Sequence, residues 1–290
     1  MSENSKIEWC DATVNFWWGC TKVSAACDHC YAETWAKRFG GELWGVGAPR
    51  RKIKGARALL HRLDNDYAEW AADHECGLLP PLSGIRRRVF CMSMGDLFDK
   101  EAPLEWFVEA WRTIVTCNRV DIIIVTKRLS MIEKRLSEAG FEGWPKHAWL
   151  LTSVHDQASA EREAHRLLQL KMKFEIPIVG FSAEPLLGPI DLTTIKFWSP
   201  CNIPEYGGEG HELLPALRPA WRKGGGPGLD LVIAGGESGP GARDNGYEAN
   251  ARSLLAQCRE AGVAFFGKQN VGKRPLPEDL LVREFPEVRL

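Results

Sequence analysis

Asp121-Ile122-Ile123-Ile124-Val125-Thr126-Lys127-Arg128 is the stretch that decides the fold. An apolar, β-branched run ends in a polar triplet, and residues 131–139 follow with a helical pattern. A strand covered on both faces reads as such a continuous run, whereas a half-exposed strand alternates. The same unit recurs outward from it. Strands are expected at 89–92, 148–153, 176–181, 229–234 and 263–266, and helices at 104–115, 158–170 and 249–261. Toward the amino terminus, Ile7 to Gly19 reads as a first strand and its exit. Tyr31 to Phe39 reads as a helix closed by Gly40-Gly41. Strands alternating with helices mean parallel strands covered by helices. The expected fold is α/β, a single domain over 1–290 built as a partial or complete (β/α) barrel of about six to seven parallel strands.

Two segments interrupt the rhythm. Residues 42–87 read as an irregular basic insertion, with Arg50-Arg51-Lys52-Ile53-Lys54-Gly55-Ala56-Arg57 continued by His61 and Arg62. Arg86-Arg87-Arg88 adds to this patch in sequence and could join it in space. Such a run is either a solvated face or a phosphate-binding one. Residues 198–228, rich in Gly and Pro and carrying Tyr206 and Trp221, read as a mobile flap.

Composition bounds the rest. The 290 residues are 44 % hydrophobic and 26 % charged, ordinary for a globular protein with ample core. A net charge of −1 excludes a global field that would draw in a polyanion, so any nucleic-acid contact needs a local patch. No apolar run approaches the length needed to cross a bilayer, and Met1-Ser2-Glu3-Asn4 leads into a charged segment unlike a signal peptide. Nine cysteines, mostly scattered, point to a reducing cytoplasm. The twelve tryptophans read chiefly as packing, with some available to stack on a base or an adenine.

In parallel α/β folds the chemistry gathers at the carboxyl ends of strands. Those ends are polar here: Ser93-Met94-Gly95-Asp96, Thr126-Lys127-Arg128, Ser153-Val154-His155-Asp156, Ser182-Ala183-Glu184-Pro185, Gly235-Gly236-Glu237 through Arg243, and Lys268-Gln269. Ser153 and Asp156 individually read as helix caps, and Asp96 and Glu184 as caps or members of internal ion pairs. Lys127 and Arg128 suit a surface pair or a ligand role. The Gly235–Arg243 loop offers Glu237 and Arg243 as a charge pair in a cleft, with Lys268 near enough in sequence order to meet Glu237.

On the first strand's exit lies Gly19-Cys20-Thr21-Lys22-Val23-Ser24-Ala25-Ala26-Cys27-Asp28-His29-Cys30-Tyr31, a C-x6-C-x2-C arrangement. Three thiolates without a fourth partner at fixed spacing suit an iron–sulfur cluster with one open iron. Structural zinc with Cys10 or His29 as fourth ligand is the rival, and a disulfide set or plain buried cysteines the blandest reading.

These cysteines, Ser93–Phe98, Thr126–Arg128, Ala183-Glu184-Pro185-Leu186-Leu187-Gly188-Pro189 and Gly235–Arg243 together resemble a phage-associated three-Cys-motif family of radical-SAM-like proteins, over Lys6 to about Asn270. The first cysteine gap, six residues, departs from the common C-x3-C-x2-C of radical SAM proteins. The resemblance implies a 4Fe–4S cluster on Cys20, Cys27 and Cys30. Its open iron would bind S-adenosylmethionine and the reaction would yield a 5′-deoxyadenosyl radical, with an electron donor such as flavodoxin or ferredoxin. It further implies Ser93 and Asp96 for the methionyl ammonium, Lys127 for its carboxylate, and Ser153 or Glu184 for the ribose hydroxyls. Glu237, Arg243 and Lys268 are then the catalytic candidates. A nucleic-acid base, perhaps already carrying an adduct, is the expected substrate. A small molecule or peptide substrate, or a non-enzymatic zinc-stabilised binding protein, are the alternatives.

Overall fold

The computed structural model describes residues 1–39, 41–75, 86–203, 208–217, 228–239 and 241–287. The chain divides into two compact units, Met1–Leu151 and Thr152–Arg289.

In the first unit the elements run β1 (Ala12–Val14), β2 (Trp17–Trp18), α1 (Tyr31–Arg38), β3 (Arg51–Lys52), α2 (Ala56–Asn65), α3 (Tyr67–Glu75), β4 (Arg88–Cys91), α4 (Leu104–Thr116), β5 (Asp121–Thr126) and α5 (Ile132–Glu138). The next strand, β6 (Ala148–Ser153), begins there. β1 pairs parallel with β4, Ala12 opposite Val89, and β4 pairs parallel with β5, Arg88 opposite Asp121. Ile122, Ile123 and Ile124 are wholly buried, as a strand covered on both faces requires. α4 buries Phe107, Ala110, Trp111 and Ile114, the three-and-four spacing of one helix face. Trp111 meets Trp144 edge-on with ring centroids 5.1 Å apart, and Phe98 lies against both. Burying each such ring contributes roughly 1.5–3 kcal/mol.

The second unit continues with α6 (Gln157–Phe174), β7 (Val179–Ala183), β8 (Lys196–Ile203), β9 (Gly208–Pro215), β10 (Leu231–Gly235), α7 (Tyr247–Ala261) and β11 (Ala264–Gln269). β10 pairs parallel with both β7 and β11. Asp156 caps α6: its carboxylate accepts from the Ser159 N–H at 2.8 Å, and Ser159 answers the Asp156 N–H. The cap expected at Asp156 is therefore present.

The parallel sheet has seven strands in the order β1-β4-β5-β6-β7-β10-β11. β1 and β11 end that row, the topology of a partial barrel, so the α/β expectation of six to seven parallel strands holds. One segment differs from expectation. Among its described residues the basic insertion contains two helices, because Ala56, Leu59, Leu60 and Leu63 of α2 form a buried stripe beneath the cations. In the segment expected as a flap, β8 and β9 pair antiparallel, Trp198 opposite Leu213. Tyr206 and Trp221 lie outside the described residues. Among the described residues no helix is long and apolar enough to cross a membrane.

Candidate functional site

The cysteine loop leaves β2 through Gly19, whose φ of +116° suits glycine. A Cβ there would stand 2.7 Å from the Leu43 carbonyl oxygen. The Gly19 N–H donates to the Met94 carbonyl at 3.0 Å, which holds the loop's start against the exit of β4. Arg50 closes the other side. Its guanidinium donates to Thr21 Oγ1 at 2.8 Å, to the Ala48 carbonyl at 2.7 Å and to buried Asp99 at 2.7 Å. Arg50 is itself buried, so it cannot serve a phosphate in solvent.

Cys20, Cys27 and Cys30 are all free thiols, each partly exposed. Arg128 Nη2 lies 3.6 Å from the Cys20 sulfur and donates to the Thr21 carbonyl at 2.8 Å. Burial and then the Asp96 charge push the Cys20 thiol up to about 12, against the pull of Arg128. Burial also raises Cys27, but the Lys127 ammonium and hydrogen bonds from Val23 and Ser24 outweigh it and hold that thiol below its ordinary value. Cys30 is the N-cap of α1 and packs against Met94, Ala32 and Ala36. The three sulfurs thus lie over the carboxyl ends of β4 and β5. Among the described residues no three His, Cys, Asp or Glu side chains are grouped to hold a single metal ion. Three partly exposed thiols are the donor type that an iron–sulfur cluster takes. Cys10 does not join them: it precedes β1, and its thiol donates to Ser5 Oγ at 3.3 Å.

Asn15 reaches Ser93 Oγ at 3.0 Å and accepts from the Met94 N–H at 2.7 Å. Ser93 is therefore oriented beside the loop, and its carbonyl takes the Tyr31 hydroxyl at 2.7 Å. Asp96 accepts from Thr126 Oγ1 at 2.8 Å and from the N–H groups of Phe98 and Lys127. Its carboxylate also stands 3.8 Å from Arg128, so both oxygens are engaged by the chain itself. This is the internal ion-pair reading of Asp96.

In the second unit, Ser153 is buried at the end of β6. Lys268 pairs with Glu184 at 3.1 Å, where the sequence reading had it meet Glu237. Successive strand residues face opposite ways, and Gln269, next in β11, is the one that reaches Gly236, at 2.9 Å. Glu184 Oε2 accepts from Ser182 at 3.3 Å; Oε1 has no hydrogen bond of good geometry beyond the Lys268 contact. A Cβ on Gly235 would lie 2.6 Å from that oxygen. Glu237, buried, takes the Arg243 backbone N–H at 2.8 Å and its Nε at 2.9 Å, an ion pair that closes the 237–243 loop on itself.

The joint basic patch does not form as expected. Arg86 donates to Asp121 at 2.8 Å, Arg88 is buried against Asp11, and Arg87 stacks on Trp70, all at the amino end of β4. That end is opposite the one bearing the cysteine loop. Asn15 was missed from sequence, and Arg50, Asp99 and Thr126 were read without the partners they take here. Arg50 was hidden inside a charge run; Asn15, directly after β1, was legible from its strand-end position alone.

Compared with known proteins, the chain matches over residues 4–276 the profile of a family described as a protein of unknown function. That description carries no cofactor, activity or phage setting. No curated protein and no solved structure matches the chain.

Proposed function

The chain belongs to the DUF5131 family, and on its own cysteine loop we propose that it is a radical S-adenosylmethionine enzyme whose first unit holds a 4Fe–4S cluster on Cys20, Cys27 and Cys30. The observation that carries the reading is a division among the described cysteines: Cys20, Cys27 and Cys30 reach solvent over two strand ends, whereas Cys10, Cys91, Cys117 and Cys258 are buried. When bound, the cluster would pass one electron to S-adenosylmethionine and cleave it to methionine and a 5′-deoxyadenosyl radical.

The chain's own groups have separable roles. Lys127 favours the thiolate of Cys27, so that ligand is available without strong base. Arg128 Nη2 directs an N–H at the Cys20 sulfur and offsets the cost of a buried negative charge there. Ser93 Oγ, fixed by Asn15, and Lys127 Nζ are the groups assigned to the methionyl ammonium and carboxylate. Asp96 is a positioning residue that acts through Thr126, Lys127 and Arg128. Within the second unit, Glu184 Oε1 is paired with Lys268, as Glu237 is with Arg243. The reading requires an electron donor such as flavodoxin or ferredoxin, and a reducing cytoplasm where thiols persist. The zinc alternative loses Cys10 as its fourth ligand and keeps His29.

Anaerobic reconstitution with iron and sulfide tests this. The expected result is about four irons per chain and a reduced-cluster paramagnetic signal that changes when S-adenosylmethionine is added, with 5′-deoxyadenosine formed. Cys30→Ser should lose the iron. One zinc per chain, retained through reconstitution with no 5′-deoxyadenosine, would overturn it.

A further inference from the structure

We propose that the outer face of α1, with Trp18 and β3 beside it, is a docking surface for single-stranded nucleic acid. Large exposed apolar side chains among the described residues include three aromatics, and all three belong to α1 or its C-cap: Tyr31 at 49 %, Trp35 at 47 % and Phe39 at 59 % exposure. They recur every fourth residue, so they form one edge of the helix with steps of about 6 Å. The Trp35 and Phe39 rings are 5.3 Å apart and tilted at 58°. Folding does not need them outward, because the inner residues Ala32 and Ala36 already seat the helix on Met94, with Trp18 and Trp44 packed alongside.

Charge selects the occupant. Glu33, the single acid of α1, is neutralised by Lys22 at 3.0 Å and Lys37 at 2.8 Å. Arg38 is exposed at the end of the helix. Arg51, also exposed, lies over the Trp18 ring at 4.8 Å, and Lys54 and Arg57 follow it on the surface. A protein interface core is depleted in charge around its aromatic residues. Rings interleaved with cations are the arrangement that stacks bases while tracking a phosphate backbone. α1 opens at Cys30, so a strand lying along it arrives at the cysteine loop. In that respect the inference rests on the proposed chemistry and supplies its substrate class; the binding itself needs no iron.

The test is fluorescence anisotropy with a fluorescein-labelled single-stranded oligothymidine, using the full chain both iron-free and reconstituted. Binding should weaken with salt, and Trp35→Ala with Phe39→Ala should weaken it about 10-fold or more. Arg38→Glu with Arg51→Glu should flatten the salt dependence. All four side chains are exposed, so far-UV circular dichroism and melting should match the parent. Absence of binding, or binding that the aromatic substitutions leave unchanged, overturns the proposal. So does a protein partner lost with the same substitutions when no oligonucleotide binds. If the oligonucleotide fails to bind while reconstituted chain still forms 5′-deoxyadenosine, this surface falls and the enzyme reading stands. If it binds but no cluster loads, the reverse holds.

Discussion

Cys20 and Cys27 belong to one loop yet feel opposite fields. Desolvation and Asp96 dominate at Cys20, whereas Lys127 and the local hydrogen bonds from Val23 and Ser24 prevail over desolvation at Cys27. A thiol held below its ordinary value is thiolate over a wider range of neutral pH; one raised to about 12 stays protonated there. In the iron-free chain, Cys27 should therefore alkylate at lower pH than Cys20. Lys127→Ala should move the Cys27 profile to higher pH, which peptide mass spectrometry of iodoacetamide-labelled chain will read. Faster labelling of Cys20 would contradict the assignment. In the second unit, Gly235→Ala places a methyl against Glu184 Oε1 and should break the Lys268 pair. The measurable outcome is a lower melting temperature with the fold retained by circular dichroism.

At the scale of elements, the cysteine loop depends on an interior ion pair. Arg50→Ala leaves Asp99 buried with its principal cation gone, and removing one partner of such a pair costs about 3–5 kcal/mol. Urea denaturation should show that loss, against about 1 kcal/mol for Asp156→Ala at the α6 cap. The sequence reading located the parallel strands because β-branched apolar runs admit little else; 121–126 and 148–153 came out nearly to the residue. The strand expected from 176 begins at Val179, since the Ile176 N–H is still bonded to the Lys171 carbonyl, finishing α6. α2 was obscured because cations stand between its apolar positions. The strand-end residues were legible as a set, but their pairings were not. Whether Lys268 meets Glu184 or Glu237 depends on side-chain facing and a register shift beside Gly235, neither of which has a signature in composition.

For the molecule as a whole, the near-zero net charge sets what kind of ligand binding is possible. At −1 there is no long-range attraction for a polyanion, so affinity has to come from a small cationic face. With some four exposed cations on and beside α1, the slope of log affinity against log salt should be about −3 for a single strand. A slope near −8 would mean that many more cations take part than this face holds. Arg86 and Arg88 show why sequence alone overstated the patch: both are held by carboxylates at the far end of β4, and only the fold reveals it. Arg50 carries one more consequence. The backbone around Cys20 takes its shape from a cation inside the protein, so that shape is already set before any guest arrives. Protease cleavage between residues 43 and 48 should therefore be equally slow in the empty and the loaded chain, and should quicken in both once that arginine is replaced.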